Sequence, residues 1–233
     1  MKPIKSALLV MALMTSSSVS AQSTQNSIYI DQIGDNAAVT ITQQGQGNEI
    51  GNTTTQKPLT VQGTGQTVTV TQTGNNNKIN GDVKQSDNST TTVNTTGDSN
   101  QLQLDVGNSG DTSGSTTSTT VEGSSNDITI NQGKVSAATN LNQTMTVTGD
   151  LNTITQNIET NDVTNTIALQ GDSNVLNTTQ NGQSGKNIDL SVTGSQNLFN
   201  INQKSTLNVD SIQINSVGNG GTWNINQCNA GDC

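Results

Sequence analysis

Few residues in this chain could do chemistry. Two cysteines stand at its end, Cys228 and Cys233 in CNAGDC, and aspartates sit beside glycines at Asp35, Asp98, Asp150 and Asp172. Histidine and arginine are absent. No Ser–His or Cys–His nucleophile pair can therefore form. Two thiols without histidine fall short of a zinc ligand set. Carboxylates alone can cleave polysaccharides on a β-helix. Here the acids are scattered through turns, and they read as solvated turn residues and as charges that slow aggregation. The alternative is calcium at stacked turn aspartates, but the Gly-Gly-x-Gly-x-Asp repeat is missing. The GNGG at 218–221 lacks the lysine and the helix of a phosphate loop. The expectation is a non-enzyme with no catalytic residue, no cofactor and no metal.

Composition narrows the class. Hydrophobic residues are 28% of the chain and aromatics 1%, against about 45–50% apolar by a broad count in globular domains. A thick core is out of reach, and composition alone favours disorder. Lys2 and Lys5 precede an apolar run that gives way to VSA at 19–21. Residues 1–21 read as a signal peptide, too short to span a membrane, and no later segment is apolar enough to do so. Secretion to the extracellular space or the cell surface follows. The mature chain would keep six lysines against seventeen acids, a formal charge of −11. That charge argues against nucleic acid and anionic lipid as partners. An exported chain with two cysteines permits a disulfide. The segment 228–233 reads as a small tail closed by Cys228–Cys233.

The elements that carry these residues are repeats. A G-x-x-N motif recurs at Gly45/Asn48, Gly74/Asn77, Gly97/Asn100, Gly123/Asn126, Gly149/Asn152, Gly171/Asn174 and Gly194/Asn197. The glycines lie 22 to 29 residues apart. GDNA at Gly34 and GNGG at Gly218 extend the set as degenerate copies. Counting in twos from each anchor places the large apolar residues on one strand face. Asn126 leads to Ile128, Ile130 and Gln132; Asn197 leads to Phe199, Ile201 and Gln203. Back from Gly194 come Val192, Leu190 and Ile188. A disordered tract has no reason to hold this parity. The pattern predicts an all-β solenoid of strand–turn–strand rungs over 22–227, about nine rungs stacked over some 40 Å.

Like side chains in such a stack lie about 4.8 Å apart, so buried amides can bond up and down it as ladders. The asparagines of the seven motifs are the expected ladder, together with Gln43, Gln72, Gln85, Gln132, Gln180, Gln203 and Gln227. The G-x-x-N turn is expected to be constant. The return loop is expected to vary, with the segment 51–58 and its Pro58 on that same edge.

On these residues the sequence resembles the curlins, subunits of curli amyloid fibres, whose repeat is S-x5-Q-x-G-x-x-N-x-A-x3-Q. Gln32, Gly34, Asn36, Ala38 and Gln43 follow the order of that motif, and Gln43/Gly45/Asn48 and Gln72/Gly74/Asn77 keep its spacing. The resemblance covers about 26–227. It implies a secreted fibre subunit in a biofilm matrix or surface adhesion. The implied partners are other copies, other curlin-like subunits and an outer-membrane export machine. The first glutamine of the motif is replaced by Thr95, Val121, Val147, Leu169 or Val192 in the middle rungs. That departure keeps a monomeric surface solenoid, such as an adhesin, open as the alternative. A lesser alternative is ice binding through the outward threonines Thr40/Thr42, Thr67/Thr69/Thr71, Thr146/Thr148 and Thr153/Thr155. Asn131, Asn200 and Asn224 are expected to interrupt that threonine column. At the ends, the first rung (Ile28, Ile30, Gln32) reads as open, and Trp223 with the cysteine tail reads as a cap.

Overall fold

A computed structural model of the chain describes residues 25–84, 86–108 and 110–229. The expected leader, Gln85 and Cys233 lie outside the described residues. All named elements are strands. In chain order they begin with β1 (Ser27–Ile28), β2 (Ile30–Ile33), β3 (Ala38–Gln44), β4 (Glu49–Ile50), β5 (Leu59–Gln62) and β6 (Thr67–Thr73). Then come β7 (Lys78–Val83), β8 (Thr90–Thr96), β9 (Gln101–Val106), β10 (Thr116–Glu122), β11 (Asp127–Gln132) and β12 (Asn142–Thr146). The last are β13 (Thr153–Glu159), β14 (Thr164–Ile167), β15 (Val175–Asn181), β16 (Asn187–Thr193), β17 (Leu198–Gln203), β18 (Ser211–Val217) and β19 (Thr222–Gln227).

The strands alternate between two sheets and build a β-solenoid of about eight turns. Sheet I has 11 strands in the order β1-β4-β7-β9-β11-β13-β15-β17-β19, with β2 and β5 completing its first two levels. Sheet II has 8, in the order β3-β6-β8-β10-β12-β14-β16-β18. Each rung runs along sheet II, turns, and returns along sheet I. Every strand pairs in parallel with its counterpart one coil away, as β13 does with β15 and β16 with β18.

Parity explains the core. Inward positions meet their like through the stack, so Ile79, Leu102, Ile128, Ile154, Leu176 and Phe199 form one column. Val70, Val93, Thr119, Met145 and Ile167 form another on the facing sheet. Side chains from two sheets meet across a narrow interior. Short aliphatic residues fill most of it to near-complete burial, with Phe199 as the buried aromatic.

The two corners of a rung have different origins. At the G-x-x-N corner the glycines from Gly45 to Gly218 take φ between +90° and +139°, and the residues two positions later take φ between +56° and +70°. Glycine is required twice over. The dihedral is unfavourable for an L side chain, and a Cβ on Gly123 would overlap the carbonyl oxygen of Gly149 one rung on.

Gly34 does not belong to this series, contrary to the expectation from its motif. It follows a sheet I strand, and a Cβ there would overlap the carbonyl of Gly63 at the opposite corner. The letters resemble G-x-x-N, but their place in the rung differs. The return corner is also more regular than expected. Asn36, Gly65, Asn88, Gly114, Asn140, Asp162 and Gly185 all take positive φ there. From Gly65 onward their N–H groups bond the preceding rung, as Gly65 donates to the Asp35 carbonyl at 3.0 Å. Length variation falls before this corner, in segments such as 107–111 and 133–137. The segment 51–58 is not on that edge. It leaves the middle of a sheet I level, because β4 and β5 on either side of it both pair with β7.

Candidate functional site: buried ladders and open ends

The asparagines of the seven motifs stack into one buried ladder. Asn174 illustrates the geometry. Its Nδ2 donates to Asn152 Oδ1 at 3.1 Å and to the Gly194 carbonyl at 2.9 Å. Its Oδ1 accepts from Asn197 N and Nδ2, each at 3.0 Å. The same pattern links Asn48, Asn77, Asn100, Asn126, Asn152, Asn174 and Asn197. One amide thus satisfies a backbone donor, a backbone acceptor and its neighbours in a site closed to water. The ladder extends one rung further than the motif shows. Asn26 Oδ1 accepts from Asn48 N at 3.0 Å, and its Nδ2 donates to the Gly45 carbonyl at 3.1 Å. The absence of a glycine three residues before it hid Asn26, although its parity with Ile28 and Ile30 marks it.

The glutamines divide. Gln43 and Gln72 pair at 2.7 Å on sheet II. Gln180, Gln203 and Gln227 form a separate ladder on sheet I, at 2.9 and 3.0 Å. Gln132 does not join it by stacking, because Ile158 stands between it and Gln180. It donates across the core to Gln143, which donates to Gln156. These two cross-sheet bonds, with Asn165 to Gln180 at 2.8 Å, make a polar centre in the interior. Motif spacing could not reveal it, because it needs to be known which strands face each other.

The sequence also gave no warning of a buried ion pair. Lys186 Nζ donates to Asp210 Oδ2 at 2.6 Å and to the Ser205 carbonyl at 3.1 Å. The lysine side chain is 0% exposed. Both residues occupy the return corner, one rung apart. The turn aspartates Asp98, Asp150 and Asp172 are committed to structure in another way: each accepts the N–H of the equivalent residue one rung before, at 2.6 to 2.9 Å. Among the described residues no group of three or more Asp, Glu, Cys or His is placed to hold a metal.

The ends complete the site. Ile30, Val39 and Ile41 at one end and Ile214, Trp223 and Ile225 at the other are only partly buried, whereas their columns are buried in between. Among the described residues no strand pairs with the outer edges of β18 and β19, or with those of β1, β2 and β3. The asparagine ladder stops at Gly221, whose N–H donates to Asn197 Oδ1 at 2.9 Å. The Trp223 ring fills the space where a side chain on Gly221 would stand. It lies stacked on Phe199 with centroids 4.3 Å apart and planes 4° apart. Cys228 is disulfide-bonded. Asn229 lies beside the stack, its Oδ1 accepting from Ser205 Oγ at 2.6 Å. The expected partner cysteine and the rest of the tail lie outside the described residues.

No protein-family profile matches the chain, and no curated protein or solved structure matches it. Among the described residues no helix is long and apolar enough to cross a membrane.

Proposed function

We propose that this repeat β-solenoid is a secreted, non-enzymatic structural subunit that stacks end to end into an extracellular fibre, as the resemblance to curlins implies. The observation that carries the reading is the pair of open ends. A parallel edge with unpaired N–H and C=O groups is a template for another chain. Extending the registry by one rung would set Ile28 of a second copy on Trp223, Ile41 on Ile214 and Gln32 on Gln227. The apolar columns and the glutamine ladder would then run on through the joint. The asparagine ladder would break there, since Gly221 offers no amide to Asn26. Each joint would therefore be a weaker level than those within a subunit.

The test is incubation of the purified mature chain, residues 22–233, followed by electron microscopy, dye binding and fibre diffraction. Unbranched fibres with strands across the axis are expected, and Trp223→Ala should slow elongation. A chain that stays monomeric while showing strand circular dichroism would refute the reading in favour of a single surface solenoid. Deletion of 228–233 with elongation followed at each end tests the tail: faster growth at the Trp223 end is expected if it restrains addition there.

A further inference from the structure

We propose that the outer face of sheet II binds ice. Outward residues on this sheet stand in register from rung to rung. One column reads Thr40, Thr69, Thr92, Ser118, Thr144 and Thr166, six successive rungs without a break. The columns on either side are also mostly threonine. Asn131, Asn200 and Asn224, which were expected to interrupt the array, lie on β11, β17 and β19 of the other sheet. The central hydroxyl column is therefore continuous over these rungs, while the flanking columns are broken at Asn94 and Asn142.

Three properties suit this face to an ordered water lattice. The first is spacing. Hydroxyls repeat about 4.8 Å across strands and about 6.7 Å along them, a rectangular grid resembling that of oxygens on a prism face of hexagonal ice. The second is rigidity. Threonine is stiff at χ1, so little side-chain freedom is lost when the array meets a lattice. The third is availability and charge. Among the described residues none of the six hydroxyls has a hydrogen-bond partner, so each can bond water, while the threonine methyls order water around apolar surface. Along the eight strands of sheet II only Glu122 and Asp189 bring charge to the outward positions. A nearly neutral face complements an uncharged lattice and offers little to an ionic partner.

The outer face of sheet I lacks these properties. Its amides bond one another, Asn177 to Asn200 at 2.9 Å and Asn200 to Asn224 at 2.8 Å. It also carries the pairs Lys84–Asp82 and Lys134–Asp105.

The experiment measures thermal hysteresis and partition into a growing ice front for the mature chain and for Thr69→Tyr, Thr92→Tyr and Thr144→Tyr made separately. Tyrosine is well tolerated on an exposed strand, and three sites keep the test open should one variant misfold by circular dichroism. Thr155→Tyr, on the outer face of sheet I, is the control. Expected are hysteresis and ice partition for the wild type, their loss in the sheet II variants, and retention in the control. Absence of hysteresis in the wild type overturns the proposal. So does equal loss in Thr155→Tyr, or adsorption to crystalline cellulose without partition into ice. The outcome does not depend on fibre formation, because single and stacked chains expose the same face.

Discussion

The two corners of the solenoid solve one problem in different ways. Both reverse the chain and both must satisfy backbone groups that the strands leave unpaired. The G-x-x-N corner uses the same amide at Asn48 and at every motif to Asn197, joined into one ladder. At the return corner the corresponding inward position changes chemistry along the stack. Gln66 donates to Ser86 Oγ at 2.8 Å. Ser89 and Ser115 pass hydroxyl bonds along, Ser115 N to Ser89 Oγ and Leu141 N to Ser115 Oγ, each at 3.1 Å. Leu141 and Val163 then pack with Ala138 and Ile158 in a small apolar cluster. Lys186 and Asp210 end the series as an ion pair. The lesson is that a stacked corner fixes residue identity only where one side chain must bond several groups at once. Asparagine at the first corner serves a glycine carbonyl, a backbone N–H and two neighbouring amides. At the return corner the inward side chain does not carry that whole set of partners, and amide, hydroxyl, apolar and charged fillings all serve.

The largest effect should come from breaking the ion pair. Asp210→Ala leaves Lys186 buried without a counter-charge and should cost about 3–5 kcal/mol, read by chemical denaturation of the unassembled chain. The double replacement Lys186→Leu with Asp210→Val should recover most of that loss, because a packed apolar pair can equal or exceed a buried ion pair. A double variant as unstable as Asp210→Ala would show that this corner is not interchangeable, and the comparison would fail.

Next in size is the amide ladder. Asn174→Ala strips partners from Asn152, Asn197 and the Gly194 carbonyl and should cost about 1–3 kcal/mol. Here an apolar pair should not rescue: Asn152→Leu with Asn174→Leu should be worse than either single change. Rescue in that experiment would erase the distinction between the corners.

A hydroxyl link should matter less. Ser115→Ala removes the acceptor for Leu141 N and should cost about 0.5–1.5 kcal/mol. Smallest of all is Thr144→Ala on the outer face of sheet II, expected within about 0.5 kcal/mol. A Thr144 effect as large as that of Ser115 would mean that the outer hydroxyls are structural rather than available to a partner.

The legible part of this protein was whatever repeats every second residue. Ile128, Ile130, Phe199 and Ile201 announced their face by parity, and the parallel stack of strands follows from it. The glycine and asparagine of each motif announced a corner, because the left-handed backbone and the buried amide each demand one residue type. Asn26 obeys the same parity but lacks the glycine, so the motif passed over it. Lys186 gave no sign, since a lysine before a strand is ordinarily solvated; its burial depends on Asp210, one coil away. Gln132 resembled Gln180 in sequence, yet Ile158 separates them in the stack.

By itself the sequence determined strand period, inward face, the G-x-x-N corner and the poverty of reactive groups, because each depends on residues within a few positions of one another. Tertiary structure alone decided which strands share a sheet. That assignment moved Gly34 to the return corner, put 51–58 in mid-strand, split the glutamines and joined the outward hydroxyls of sheet II into one unbroken column. The physical reason is that coils of 22 to 29 residues place stacked neighbours far apart in sequence. Parity tells which way a side chain points and says nothing of which of two identical-looking walls carries it.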